Sequence, residues 1–467
     1  MSLPATVPDI PTSMGLFSPQ YRWVTLGMFS LVFLVAFESL AVTTVMPLVS
    51  KELNGASMYA LAFAAPMASG VIGMVAAGGW SDRRGPTGPL LTSSLVFVIG
   101  LLLCGLAPSM HALVVGRLVQ GLGGGAITVA LYVVVARVYP SRLHPKIFAA
   151  FAAAWVIPSM IGPFAAGLAA QTIGWRWVFL GVVGLVALAM LAVVPSLRGL
   201  SGGENPDSKI AWLPLGWATL AAVAVLGMNL LADLPRVGTW LMLLSFVLVL
   251  VAVRPLFPRR TLLAGRGLPT TILVRGLAAA AFFGTEVYLP YLLMERFDLS
   301  PSIAGFSLTG AAIFWSIGSA IQGRMGDSLS NERAMFIGAV LGVTAIAVVW
   351  GTAALHWPAF VAIGIWALGG AGMGLVFPRQ NVHMIKLSTT SNQGFNSSAL
   401  AISDAMGSAL ALAAAGLIFA AFSDNDSFVA VFTFTTIIGL ALIILVPRTR
   451  PAMAGEPSLE AENTLGA

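Results

Sequence analysis

The chain has 467 residues, 58% of them hydrophobic and only 9% charged, with a formal net charge of +6. Soluble chains carry about 25% charged residues, so a chain with a mean hydropathy of +0.92 cannot keep its whole surface in water, and lipid must cover much of it. The positive charge suits basic loops beside a membrane and gives no reason to invoke nucleic acid. The single cysteine, Cys104, excludes an internal disulfide and a cysteine-based metal cluster. The four histidines, His111, His144, His356 and His383, lie far apart in sequence at or near expected helix ends, which argues against a histidine metal site.

A helix needs about 20 apolar residues to cross the hydrocarbon core. Fourteen stretches read as such helices: 22–48, 58–79, 88–106, 112–137, 146–171, 177–197, 210–231, 239–253, 268–293, 302–322, 334–352, 358–377, 395–421 and 428–446. The first is too long for a signal-peptide core and reads as a retained helix. Of the 24 Lys and Arg, four (Lys51, Arg176, Arg236, Arg296) then fall outside the cell and two (Arg117, Arg275) fall within spans. The remaining eighteen lie on the cytoplasmic side if both termini are cytoplasmic, which is a strong positive-inside bias.

The chain also repeats itself. Asp82, after the second stretch, matches Asp327, after the tenth, at an offset of 245 residues. Pro47 and Pro290, near the ends of the first and ninth stretches, match at an offset of 243. The near-equal offsets predict two six-helix halves in the same orientation with an inserted helix pair between them. The expected organisation is a first bundle over 1–200, inserted helices over 201–265, a second bundle over 266–447 and a cytoplasmic tail over 448–467.

Four local motifs sharpen this all-α reading. Gly78-X-X-X-Asp82-Arg83-Arg84-Gly85 follows the second stretch, and Gly323-Arg324-Met325-Gly326-Asp327 repeats part of it. Gly78 allows close helix approach, and Asp82 can cap the third helix or pair with a neighbouring Arg. Arg117-X-X-Gln120-Gly121 lies in the fourth stretch, where a membrane Arg needs an acidic or carbonyl partner. Gly162-Pro163-Phe164-Ala165-Ala166-Gly167 lies in the fifth, where Pro163 kinks the helix and Gly162 and Ala166 offer a small-residue face. Finally, Glu38 stands nine residues before Pro47, and Trp175-Arg176-Trp177-Val178-Phe179 opens the sixth stretch.

Together these resemble the major facilitator superfamily over residues 20–447, and within it the fourteen-helix drug:proton antiporters. The resemblance implies a loop at Gly78, Asp82 and Arg83 that latches the cytoplasmic side, with Gly323 and Asp327 as its counterpart. It implies a role for Arg117 in proton coupling. It also implies export, through the signature at Gly162, Pro163 and Gly167. Pro86-Thr87 replace the family's usual basic pair, Ala166 stands for a usual Gly, and Glu38, Leu40 and Thr43 stand where that branch carries Asp, Thr and Asn.

Three acids fall within the expected spans: Glu38, Glu286 and Asp404. Such residues usually face a cavity or a partner, and a buried carboxylate takes up a proton more readily than an exposed one. With Arg117 they form the candidate set for proton coupling or substrate. Arg275, near the cytoplasmic edge, is expected to snorkel to the headgroups. Trp155, Phe283, Tyr288 and Trp315 are candidates to line an apolar cavity, with lipid contact or core packing as the alternative. Gly370-Ala371-Gly372-Met373-Gly374 lacks the strand context of a dinucleotide fingerprint and reads as helix packing.

The expected function is proton-coupled export of lipophilic or amphipathic compounds, drugs among them, by alternating access. The alternatives are export of one endogenous lipid or metabolite and proton-coupled import. A membrane enzyme would need a converging nucleophile and base, which the residue inventory does not offer. The expected partners are a small lipophilic or amphipathic substrate, protons and the bilayer, with no nucleic acid and no cofactor beyond the proton gradient. The chain is expected to be a monomer in the plasma membrane.

Overall fold

Apolar segments in lipid must pair their backbone groups within the protein, and in the computed structural model the described residues run as a succession of α-helices. The structure describes residues 15–55, 58–197, 212–231, 238–299, 301–422 and 424–451. Among these, fourteen α-helices follow one another. They are α1 (Arg22–Glu52), α2 (Tyr59–Arg84), α3 (Thr87–Gly105), α4 (Met110–Val138), α5 (His144–Thr172), α6 (Arg176–Val193) and α7 (Trp212–Leu231). They continue with α8 (Gly238–Val253), α9 (Leu268–Phe297), α10 (Pro301–Met325), α11 (Asn331–Ala354), α12 (Ala359–Lys386), α13 (Gln393–Ala421) and α14 (Asp424–Leu445).

Ten contain a segment long and apolar enough to cross a membrane, and α7 and α8 hold shorter apolar segments. Leu95, Leu191 and Ile444 are 59%, 71% and 71% exposed. Apolar side chains this open, spread over three helices, suit a surface wetted by lipid rather than water.

The helix pairings repeat. In the first set α2 packs on α4, α3 on α4, α1 on α5, α1 on α6 and α3 on α6. In the second set α10 packs on α12, α11 on α12, α9 on α13, α9 on α14 and α11 on α14, which is the same pattern shifted by eight. Between the sets, α5 packs on α10 and α2 on α13, and the same shift exchanges these two seams. Helices α7 and α8 pack on each other, and α7 leans on α2.

Small residues set the tightest seams. A Cβ on Gly125 would lie 2.1 Å from the Gly70 carbonyl oxygen, and one on Gly370 would lie 2.1 Å from that of Ala311. These bring α4 onto α2 and α12 onto α10 at backbone contact.

Sequence reasoning ended the twelfth helix at 377, before Pro378. The helix instead runs on to Lys386. Pro378 cannot donate to the carbonyl of Gly374, four residues back. The Ser319 hydroxyl of α10 donates to that carbonyl at 3.1 Å, so the break is repaired by a neighbour.

The start of α1 and the end of α14 share one face, here called the terminal face. The Thr25 and Tyr139 hydroxyls share a hydrogen bond of 2.7 Å, tying α1 to the end of α4. Gln322 at the end of α10 donates to the Pro145 carbonyl at the start of α5 (3.2 Å). Arg379 of α12 donates to the Gln322 and Gly326 carbonyls at 2.8 and 2.7 Å. His383 meets the Thr449 carbonyl at 2.9 Å. On the opposite, distal face, Glu52 accepts from Arg176 at 2.8 Å and from the Trp175 indole at 2.9 Å, so α1 is stapled to α6. The Arg176 hydrogen bond holds the Glu52 carboxyl below its ordinary range.

Candidate functional site

Glu38, near the middle of α1, is 4% exposed and meets Arg117 of α4 at 2.6 Å. Arg117 is 5% exposed and also donates to Gln120 at 2.8 Å. Its Nε donates to the Ala62 carbonyl of α2 at 3.1 Å. That carbonyl lies four residues before Pro66, which cannot donate to it. One guanidinium thus joins three helices and fills a gap that a proline opened. The sequence motif located Arg117 but not its use of this carbonyl.

A second buried pair lies in the second set. Arg275 of α9 meets Asp404 of α13 at 2.8 Å. It also donates to the Phe377 carbonyl at 3.2 Å, and its guanidinium carbon lies 3.7 Å from the centroid of the Phe377 ring. Arg275 is 5% exposed, so it does not snorkel to the headgroups as expected. A buried acid and an aromatic face are better partners for it than a headgroup reached along the helix. The third acid, Glu286, is half-buried. Among the described residues it makes neither an ion pair nor a side-chain hydrogen bond.

The motif at the end of α2 reaches across to the second set. Asp82 accepts from the backbone N–H groups of Gly394 (2.5 Å) and Phe395 (2.8 Å), in the first turn of α13. It therefore caps α13 rather than the third helix, where Pro86 occupies the N-cap position. A carboxylate at a helix N-terminus is favoured by the dipole and by unpaired N–H groups. The charge of Arg137 on α4 also acts on Asp82. Gly78 makes the approach possible: a Cβ there would lie 2.6 Å from the Gly394 carbonyl oxygen. Arg83 donates to the Gly79 carbonyl of its own helix at 3.0 Å.

The counterpart motif meets the other seam. A Cβ on Gly323 would lie 3.0 Å from that of Ala149 on α5. The Asp327 side chain lies outside the described residues. In α5, a Cβ on Gly162 would meet Phe37 and Leu40 at ordinary contact distances, and Gly167 faces nothing within 4 Å. The small-residue face expected at Gly162 and Ala166 is packed at both positions, Gly162 against α1 and Ala166 at 2% exposure. The Pro163 side chain is outside the described set, although the helix runs on through that position.

The four aromatic candidates do not converge. Phe283 and Trp315 stack with centroids 6.2 Å apart, and Trp315 meets Phe377 edge-on at 4.9 Å, continuing the layer on which Arg275 rests. Tyr288 belongs to a separate cluster with Phe419 at 5.2 Å. Trp155 on α5 is 46% exposed. Sequence reasoning missed Tyr132 of α4, whose ring meets Phe148 of α5 edge-on with centroids 5.5 Å apart. It also missed Gln380, which is fully buried with no hydrogen-bond partner.

A sequence profile described as Major Facilitator Superfamily matches residues 28–285 and 271–465. A Mycobacterium tuberculosis protein named "Probable multidrug-efflux transporter" is 28% identical over 373 residues, 75% of this chain and 77% of its own length. The Staphylococcus aureus "Multidrug efflux pump SdrM" is 24% identical over 362 residues, 75% and 79% of the two lengths. Among solved structures, the human organic anion transporter MFSD10 superposes with a TM-score of 0.71 at 16% identity, covering 92% of this chain and 100% of that one. At such identity the likeness carries the fold alone.

Proposed function

Because the chain belongs to the major facilitator superfamily and is a multi-pass membrane transporter rather than an enzyme, we propose that it exports lipophilic or amphipathic compounds, drugs among them, in exchange for protons. The observation that carries this reading is the burial of two Arg–carboxylate pairs, Glu38–Arg117 and Asp404–Arg275, inside apolar helices. Charge in hydrocarbon is costly and is kept where it is used. Protonating either acid changes what its Arg can hold, which gives a proton purchase on the conformational cycle. Glu286 completes the set of acids available for coupling or substrate. The names of the relatives support drugs as cargo.

On this reading all fourteen helices cross the plasma membrane, both termini are cytoplasmic, and the terminal face is the cytoplasmic one. Residues 1–200 and 266–447 form two bundles that rock about the substrate, 201–265 is an inserted pair, 448–467 is a tail, and the monomer is the working unit. The recurrence of the pairings at a shift of eight supports the division. Reporter fusions at Glu204 and Glu456 should read cytoplasmic and one at Pro235 external; an external signal at Glu456 would mean an odd number of crossings.

Gly78, Asp82, Arg83, Gly323 and Asp327 act as the gate on the terminal face, and Gly162, Pro163 and Gly167 as the bend that favours export. Asp82→Asn keeps the shape but loses the charge facing α13, which should weaken the closed state by about 1–2 kcal/mol. The maximal transport rate should fall about tenfold, with substrate affinity unchanged within about twofold. Equal rates in mutant and parent would remove the gate from the cycle.

The test of export itself uses inside-out vesicles with an acid interior and a panel of lipophilic cations, neutral drugs and phospholipids. Uphill uptake that collapses with a protonophore is expected for at least one compound. Uptake indifferent to the gradient, or running only out of such vesicles, would overturn the reading.

A further inference from the structure

The connection between α8 and α9 carries Arg254, Arg259, Arg260 and Arg266, and all four are exposed. The segment after α14 adds Arg448 and Arg450, also exposed. No Asp or Glu occurs over 254–268 or 446–451. Hydrogen bonds join the two segments. The Gly267 N–H donates to the Arg448 carbonyl at 2.9 Å, and Arg448 Nε donates to the Ala264 carbonyl at 3.0 Å. Six positive charges therefore gather on one part of the terminal face.

Two large apolar side chains stand among these charges. Leu262 is 43% exposed and Leu263 79%. They occupy a tight turn between Arg260 and Ala264, whose φ angles of 66° and 51° are left-handed. Residues other than glycine adopt such a backbone at a cost. Three bonds hold the turn. The Thr261 hydroxyl donates to the Pro258 carbonyl at 2.7 Å, the Gly265 N–H to the Arg260 carbonyl at 3.0 Å, and the Thr270 hydroxyl to the Gly265 carbonyl at 2.6 Å. The leucines are thus carried outward on a fixed tip.

A bias of basic residues toward one side of the membrane does not by itself call for this cluster. The equivalent segment before α1, residues 15–21, holds no Lys or Arg. A guanidinium meets a phosphate with two parallel N–H groups, and basic clusters beside a membrane helix attract anionic lipid. Apolar side chains among basic ones suit the boundary between headgroups and acyl chains. A soluble anion would use the arginines and leave the leucines in water.

We propose that the 254–267 connection and the 448–450 segment form a binding site for anionic phospholipid in the leaflet at the terminal face. The arginines take the headgroup phosphate, and Leu262 and Leu263 insert among the acyl chains. The site sits on the chain's entry into α9, so bound lipid fastens the start of the second set to the bilayer surface. A competing occupant is the chain's own end, since 452–467 carries Glu456, Glu460 and Glu462 and no Lys or Arg. Three acids offset half of six arginines and leave charge for lipid. The site requires only that the chain spans a membrane, and is independent of proton coupling and of cargo.

Full-length protein in non-ionic detergent is titrated with dioleoylphosphatidylglycerol and, separately, dioleoylphosphatidylcholine, and bound lipid is counted by native mass spectrometry. The parent should bind its first phosphatidylglycerol about tenfold or more tightly than phosphatidylcholine. Changing Arg259, Arg260 and Arg266 together to Gln should weaken that step about a hundredfold, because each basic residue beside an anionic headgroup contributes about fivefold. The same three changed to Lys should keep the preference. Leu262→Ser with Leu263→Ser keeps every charge and should weaken phosphatidylglycerol about tenfold. Changing the exposed Lys146, Arg324 and Arg333 to Gln removes equal charge elsewhere on the terminal face and should leave the first step intact. A parent without lipid preference, or equal losses in the two Gln triples, would overturn the proposal. So would displacement of the lipid by an equal concentration of glycerol phosphate, which would mark a soluble-anion site. A chain ending at Pro451 that binds phosphatidylglycerol where the full chain does not would assign the arginines to the tail. A single symmetric gel-filtration peak checks folding, and if the Gln triple fails it, the leucine pair and the Lys triple decide.

Discussion

Replacing Glu38 with Gln should abolish proton-driven uphill export while the folded protein still binds substrate. Gln is the neutral shape-match of a protonated Glu, so it removes the titration and little else. Breaking a buried ion pair by removing one partner costs about 3–5 kcal/mol. Here Arg117 keeps the Gln120 side chain and the Ala62 carbonyl, so the loss should sit at the low end and leave the protein folded. Uphill transport in inside-out vesicles should drop about a hundredfold or more, with equilibrium binding of the same compound retained. The competing view makes Glu38–Arg117 a fixed strut between α1 and α4. It expects full uphill transport and an unchanged pH profile from any folded mutant, and that result would shift proton carriage to Glu286 or Asp404.

The second large effect is structural. Gly125→Val should yield little folded protein, because its Cβ would stand 2.1 Å from the Gly70 carbonyl oxygen and 2.7 Å from the Gly70 Cα. No side chain can yield there, so α4 must move off α2 along the seam that also carries Gly121 against Pro66. Overpacking typically costs about 1–3 kcal/mol, and a clash with backbone should reach about 3 kcal/mol or more. Gly79→Val is the control, since a Cβ there meets nothing within 4 Å. Thermal unfolding in detergent, followed by tryptophan fluorescence, should show a large fall in Tm for the first variant and none for the second. Matching melting curves would show that the seam can relax.

The helices were legible because hydrocarbon leaves the backbone no alternative, so length and apolarity alone place them to within a few residues. The exception at α12 is instructive. A proline ends a helix in water, but in lipid a neighbour's hydroxyl can take the orphaned carbonyl, and nothing near Pro378 in sequence announces Ser319. The Glu38–Arg117 pair was legible from matching depths on two helices. The Asp404–Arg275 pair was not, since Arg275 lies close enough to the edge to be explained by its own length. Asp82 was recognisable as a cap, but which helix it caps depends on how the halves meet.

The two acids also stand at different distances along their helices from the terminal face. Glu38 is sixteen residues beyond the start of α1, and Asp404 eleven beyond the start of α13, and both helices enter from the terminal face. At about 1.5 Å per residue the offset along the helices is about 7.5 Å, roughly a quarter of the hydrocarbon thickness. A charge passed from one level to the other therefore moves through part of the electric field across the bilayer. A potential of 100 mV acts on such a step with about 0.6 kcal/mol. On the proton-coupled reading, membrane voltage would bias which acid holds the proton even when the pH is equal on both sides, and the direction of that bias would reverse with the sign of the potential.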